Sequence, residues 1–202
     1  MTLPPACRRL LLACALATAV ARPGFAAEAA TPPTALTFMG TPYLHRWSAN
    51  GQNDYTPLPQ SDLAKWRDIL TLQVYDGVDT GEKLSKVAND VLLASQKVGL
   101  IIRTNSLPAT PGRPAQHMIV AVLSDVGVRT MVFTRFMLTP AGGLAVTYAH
   151  RIQGIKPDAE ASAWFKVNDI PIEKALMAWT EIPSVPALRA LPQASGPALA
   201  KP

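Results

Sequence analysis

Three long runs rich in β-forming residues, 117–124, 128–138 and 144–153, are separated only by Val126-Gly127 and by Pro140-Ala141-Gly142-Gly143. Connections this short cannot carry a crossover, so consecutive runs must pair antiparallel, as a meander. That stretch commits the chain to a sheet, and the remaining segments have to pack on it. Upstream, 43–49 and 54–58 flank Asn50-Gly51, a dipeptide that tolerates the positive φ of a tight hairpin turn. Residues 69–75 and 100–106 read as further strands from their β-branched and aromatic content.

Between them, Thr80 is placed to cap a helix with Glu82 in its first turn. Leu84, Val87, Ala88, Val91 and Leu92 follow at helical spacing, and Gly99 ends the pattern, which predicts a helix over 80–98. The three prolines of 107–114 make that segment a loop. A second helical segment is expected over 158–180, with Asp158 capping one helix through Trp164 and Pro171 in the first turn of another that ends near Trp179. The fold class is therefore α+β, one domain built on an antiparallel sheet of about five to seven strands.

The ends read differently. Arg8-Arg9, the apolar run 10–21, the helix-breaking Pro23-Gly24 and the small residues after it have the order of an export signal, with cleavage after Ala26 or after Ala29. The apolar run is shorter than the roughly 20 residues a membrane span requires. A lipid-attachment reading of Leu11-Leu12-Ala13-Cys14 leaves too short an apolar stretch before the cysteine. The organisation expected is a signal peptide over 1–29, a flexible leader over 30–42, the folded domain over 43–182 and a disordered Pro/Ala-rich tail over 183–202. The tail's prolines also suit a semi-extended spacer or a peptide ligand for a partner.

Export removes Cys7 and Cys14, so the mature protein is expected without a disulfide or a thiol and in a periplasmic or secreted setting. It also removes Arg8, Arg9 and Arg22. For cleavage after Ala26, the net charge then falls from +5 to about +2. The remaining Lys and Arg are scattered singly, which gives no basic stripe for nucleic acid.

Reactive constellations are sparse. There is no Gly-x-Ser-x-Gly elbow, no Ser-x-x-Lys and no helix-opening phosphate loop. Ser124-Asp125 reads as ordinary turn chemistry. No metal and no cofactor is implied. If Leu138 pairs with Leu144, Val132 faces His150, and a two-residue turn at Val126-Gly127 sets His117 opposite Phe136. Those two histidines would share a face about 13 Å apart, at ~3.3 Å per residue, too far for one ion bound at ~2 Å.

The most unusual pattern is arginine on apolar strands. Arg129, Met131, Phe133, Arg135 and Met137 alternate onto one face, Arg151 is expected to share it, and His150 and Tyr148 should point the other way; Arg103 interrupts another apolar run. Buried arginine is costly unless paired, so Arg103, Arg135 and Arg151 are the candidates for an anion- or partner-binding patch. The competing reading is a half-solvated face of arginines whose heads reach water. His117, His150 and Tyr148 form a weaker alternative site.

The runs 66–75 (Trp66 to Tyr75), 103–108 (Arg103-Thr104-Asn105-Ser106-Leu107-Pro108) and 148–152 (Tyr148-Ala149-His150-Arg151-Ile152) resemble small exported proteobacterial proteins without an assigned function. The resemblance implies no catalytic residues. The order of hairpin, strand, long helix, antiparallel strands and final helix is similar to the Mog1/PsbP-like fold. The functional expectation is a non-catalytic accessory or binding protein of the envelope, with an envelope protein or a small anionic ligand as partner and no membrane span in the mature chain. The alternative is a small periplasmic hydrolase with a site around His117 or His150.

Overall fold

A computed structural model describes residues 34–194. The expected signal peptide, both cysteines, the first residues of the expected leader and the last of the expected tail lie outside the described residues. Eleven elements follow in order. They are β1 (Ala35–Phe38), β2 (Thr41–Ala49), β3 (Gln52–Pro57), β4 (Asp68–Tyr75), α1 (Gly81–Val98), β5 (Gly99–Leu107), β6 (Gln116–Asp125), β7 (Val128–Thr139), β8 (Gly142–Gln153), α2 (Pro157–Ala178) and α3 (Val185–Arg189).

The fold is α+β, with all eight strands in one antiparallel sheet of order β1-β2-β3-β4-β8-β7-β6-β5. Two four-strand meanders thus meet in the middle, where β4 and β8 pair over eight residues from Asp68↔His150 to Tyr75↔Gly143. Helix α1 links the meanders by carrying the chain from the sheet centre to its far edge. Thr80 caps it by accepting from the Lys83 amide at 3.2 Å, as its position before the apolar stripe predicts. Gly99 follows in an extended conformation. It is required by closeness rather than by a left-handed cap, since a Cβ there would lie 2.3 Å from the Val122 carbonyl oxygen.

The two faces are covered unequally. On one, α2 and α3 enclose the main core, in which Tyr55, Leu70, Leu72, Met131, Phe133, Val146, Leu176 and Leu188 are fully buried. Burying each such side chain contributes roughly 1.5–3 kcal/mol. On the other, α1 lays Leu84 and Ala88 over Ile119, Phe136 and Ala145 and covers only the part of the sheet near β5–β7.

Four expectations are corrected. Ala35–Phe38, inside the expected leader, is an edge strand, because Leu36 and Phe38 bury against the core; it makes the sheet one strand larger than the seven runs read from sequence. Within the expected tail, Val185–Arg189 is helical, capped by Ser184 and anchored by buried Leu188 and Leu191. The two short helices expected over 158–180 are one helix. Pro171 sits inside it, next to the exposed Val167 and Ile170, and Asp158 does not cap it but binds Arg129 of β7 through Oδ1 at 2.6 Å. Finally, Gly142 and Gly143 belong to β8, leaving only Pro140-Ala141 as the turn, with Gly142 at φ +129. That slides β7 against β8 by one residue, and a one-residue slip exchanges faces.

Candidate functional site

The slip redistributes the expected site. Met131 pairs with His150, Phe133 with Tyr148 and Arg135 with Val146, so Arg135, Tyr148 and His150 share the α2 face. Arg151 lies on the α1 face with Ala145, Thr147 and Ala149. The patch expected from Arg103, Arg135 and Arg151 therefore does not form. His117 does oppose Phe136, which puts it on the opposite face from His150 rather than on the same one.

Two of the three arginines are consumed by the fold. Arg135 is 6% exposed. Its Nη1 donates to the carbonyls of Leu176 and Trp179, both at 2.9 Å, and its Nε to Gln116 Oε1 at 3.0 Å. It satisfies the Trp179 carbonyl, which the end of α2 would leave orphaned, and adds to the long bond that Leu176 O accepts from the Trp179 amide, with its charge at the favourable end of the helix dipole. Arg103 on β5 grips α2 by bonding Asp169 Oδ1 at 2.6 Å and Glu173 Oε2 through its Nε at 2.9 Å. The Asp169 hydrogen bond, against some burial, raises its pKa, with Glu173 adding to the effect.

Arg151 is different. No carboxylate lies within ion-pairing distance of it among the described residues. Its guanidinium lies 3.9 Å over the Trp66 ring and makes one long contact, Nη1 to Ala64 O at 3.4 Å, while its Nε is buried with no partner. Burial lowers its pKa, yet a guanidinium stays charged at any ordinary pH.

Arg151 stands at the end of an open groove of about 360 Å³, and it also borders a smaller hollow of about 190 Å³ beside β6 and β7. The groove exists because α1 stops short of β4 and β8. Its walls are Val91 and Ser95 of α1 on one side, and Leu63, Ala64 and Trp66 of the β3–β4 loop on the other. Gln60 fixes that loop by accepting the amides of Arg67 and Asp68 at 2.6 and 2.8 Å and donating to Asp68 Oδ2 at 3.0 Å.

Strand pairing arranges the floor in cross-strand rows. Nearest Arg151 is an apolar row, Ile69–Ala149–Val132, which packs with Trp66. Next comes a polar row, Asp54–Thr71–Thr147–Thr134. In that row Thr71 Oγ1 donates to Asp54 Oδ1 at 2.6 Å, Gln52 Nε2 donates to Asp54 Oδ2 at 2.9 Å, and the Thr134 and Thr147 hydroxyls lie 3.0 Å apart.

The histidines are engaged elsewhere. Asp68 Oδ1 accepts from His150 Nδ1 at 2.7 Å and from the Tyr148 hydroxyl at 2.9 Å. Burial alone would raise the Asp68 carboxyl, but hydrogen bonds from His150, Gln60 and Tyr148, with the charge of His150, hold it well below the usual carboxylate range. Burial, with Asp68 nearby, pushes the Tyr148 phenol far up, so it stays neutral. His150 is 8% exposed and lies flat against Trp164 of α2, ring centroids 4.2 Å apart. His117 is held through Nε2 by Ser85 at 3.0 Å and through Nδ1 by Ser106 at 2.9 Å, and burial lowers its pKa. Among the described residues, no group of three or more His, Cys, Asp or Glu is placed to hold a metal ion. None of their helices is long and apolar enough to cross a membrane.

Neither a protein-family model nor a curated protein sequence matches the chain. Solved structures do. One is a protein of unknown function from Pseudomonas aeruginosa, PA94, suggested to be a regulator. It has 13% identity and a TM-score of 0.43, over 75% of this chain and 98% of that one. A likeness at that level carries no argument about activity.

Of the residues singled out in the sequence, Arg151 alone both lines a cavity and lacks an acid among the described residues. Trp66 and the threonine row were missed. The signal for the row was present as Thr71, Thr134 and Thr147 on three apolar strands, but only strand order and register bring them into line.

Proposed function

We propose that the chain is an exported, non-catalytic binding protein of the bacterial envelope, and that its ligand lies in the groove between α1 and the β3–β4 loop. The observation that carries the binding reading is a guanidinium without an acid at the end of a groove with one apolar and one polar row. Such a site is concave, mixed in polarity and supplied with few orienting groups, as small-molecule sites are. The export reading rests on the residue order of 1–29 and on the absence of cysteine after Cys14.

Native mass spectrometry of the protein taken from the envelope of its own host tests the reading. The expected result is a chain without Cys7 and Cys14, carrying a small molecule that is lost when Val132→Trp fills the groove. A chain that keeps both cysteines defeats export. A chain with no adduct, and no response to any groove probe, defeats binding.

Hydrolysis is the second reading, supported by the Asp68–His150 hydrogen bond, which has the form of an acid orienting a base. Against it, His150 is covered by Trp164, and neither hollow described above is lined by it. Ester turnover that survives Arg151→Gln and disappears in Asp68→Asn would move the function there.

A further inference from the structure

The groove is more selective than its volume suggests, and its chemistry can be read from the order of its rows. This inference rests on the binding reading above. Same-face residues on a strand recur every second position, so successive rows lie about 6.7 Å apart and Arg151 stands about 13 Å from the Thr147 row at the backbone. One end offers a fixed cation, the middle offers only Ile69, Ala149 and Val132 beside Trp66, and the far row offers hydroxyls.

At the cationic end, Trp66 occupies one face of the guanidinium, so a ligand meets its edge. The fork of a guanidinium edge matches the two oxygens of a carboxylate. The Nε there has no partner, and a buried unpaired donor is costly. At the far end, one hydroxyl of the Thr134–Thr147 pair donates to the other, which leaves a hydroxyl hydrogen directed at neither of them. The groove's one acid, Asp54, already accepts from Thr71 and Gln52 and sits in the far row, away from the guanidinium.

We propose that the groove takes a carboxylate-terminated amphiphile, with its carboxylate on Arg151, its apolar chain over the Ile69–Ala149–Val132 row, and a hydroxyl or carbonyl oxygen on the Thr134–Thr147 pair. The row spacing puts about 13 Å between the two polar ends at the backbone, and a chain of about ten carbons probes a length of that order.

The test is isothermal titration of the mature protein with ω-hydroxydecanoate, decanoate and decanol. ω-Hydroxydecanoate should bind best. Decanoate should bind about threefold to tenfold more weakly, the worth of one neutral hydrogen bond, and decanol at least about tenfold more weakly than decanoate. Arg151→Gln should abolish the preference for decanoate over decanol, with Arg151→Lys retaining part of it. Thr147→Val should abolish the preference for the ω-hydroxyl and leave decanoate unaffected, and unchanged melting temperatures exclude misfolding.

Equal binding of decanol and decanoate overturns the carboxylate assignment and leaves the groove as a binding site. Anion preference that survives Arg151→Gln overturns it as well. No binding of any of the three probes, together with no adduct on the host-derived protein, removes the binding reading itself.

Discussion

On the α2 face of the sheet, Arg103 and Arg135 are each taken up by what lies above them, two carboxylates in one case and two helix-terminal carbonyls in the other. Arg151, on the α1 face, looks along a groove that no element of the described residues covers. Arg135 and Arg151 sit on adjacent, largely buried strands, so strand context does not decide their role. A helix end or an acid arriving from more than 40 residues away decides it. The α2 face is finished as structure, and the α1 face is finished only where α1 reaches.

The contrast can be broken at several points. Leu176→Ala, in the packed face, should cost about 2–5 kcal/mol by cavity formation. Val132→Ala on the groove floor should cost about 1 kcal/mol or less, because one side of Val132 already lacks neighbours. Urea denaturation of the pair measures both, and equal losses would mean that the groove is as tightly packed as the core.

Arg135→Met should follow at roughly 2–3 kcal/mol, since it strands the Trp179 carbonyl and leaves that of Leu176 with only the long bond from the Trp179 amide. Little or no loss would show that Arg135 does not hold the end of α2.

Asp68 adds a pH dependence. Its folded pKa lies below the unfolded value, so the stability it contributes is complete above about pH 4 and is lost as the pH falls through the carboxylate range. Asp68→Asn should be less stable than the parent at neutral pH, with the gap closing in acid. A gap that stays constant with pH would assign the loss to packing.

Glu173→Gln should cost about 1 kcal/mol or less, because Arg103 is one-third exposed and keeps Asp169. Smallest of all, Arg151→Gln should change stability by under about 0.5 kcal/mol, because the lost contact with Trp66 is offset by removal of the buried, unpaired Nε. If Arg151→Gln proves as damaging as Arg135→Met, the two faces are not different in kind.

How much of this was written locally follows the same division. Helix α1 was legible from Thr80 to Val98 because its cap, its stripe and its closing glycine all lie within one segment. The strands were legible through their composition and the Asn50-Gly51 and Val126-Gly127 turns. The β7–β8 register was misread because Gly142-Gly143 has the chemistry of a turn, yet the shorter Pro140-Ala141 suffices and lets both glycines join the strand. Strand β1 escaped notice since four residues, only two of them buried, give too short a period. Pro171 suggested a break that α2 tolerates. Arg103 with Asp169, and Arg135 with Leu176, depend on tertiary placement that no local pattern encodes. The site suffered most, because the loop residue Trp66 meets Arg151 only after β4 and β8 have paired.

The most direct measurement is a chemical-shift map of the isotope-labelled protein titrated with decanoate. The account predicts perturbations concentrated on Trp66, Val132, Ala149 and the Arg151 Nε–H, with Tyr148, His150 and Trp164 on the other face unmoved. Shifts centred on Tyr148, His150 and Trp164, with the groove silent, would contradict it.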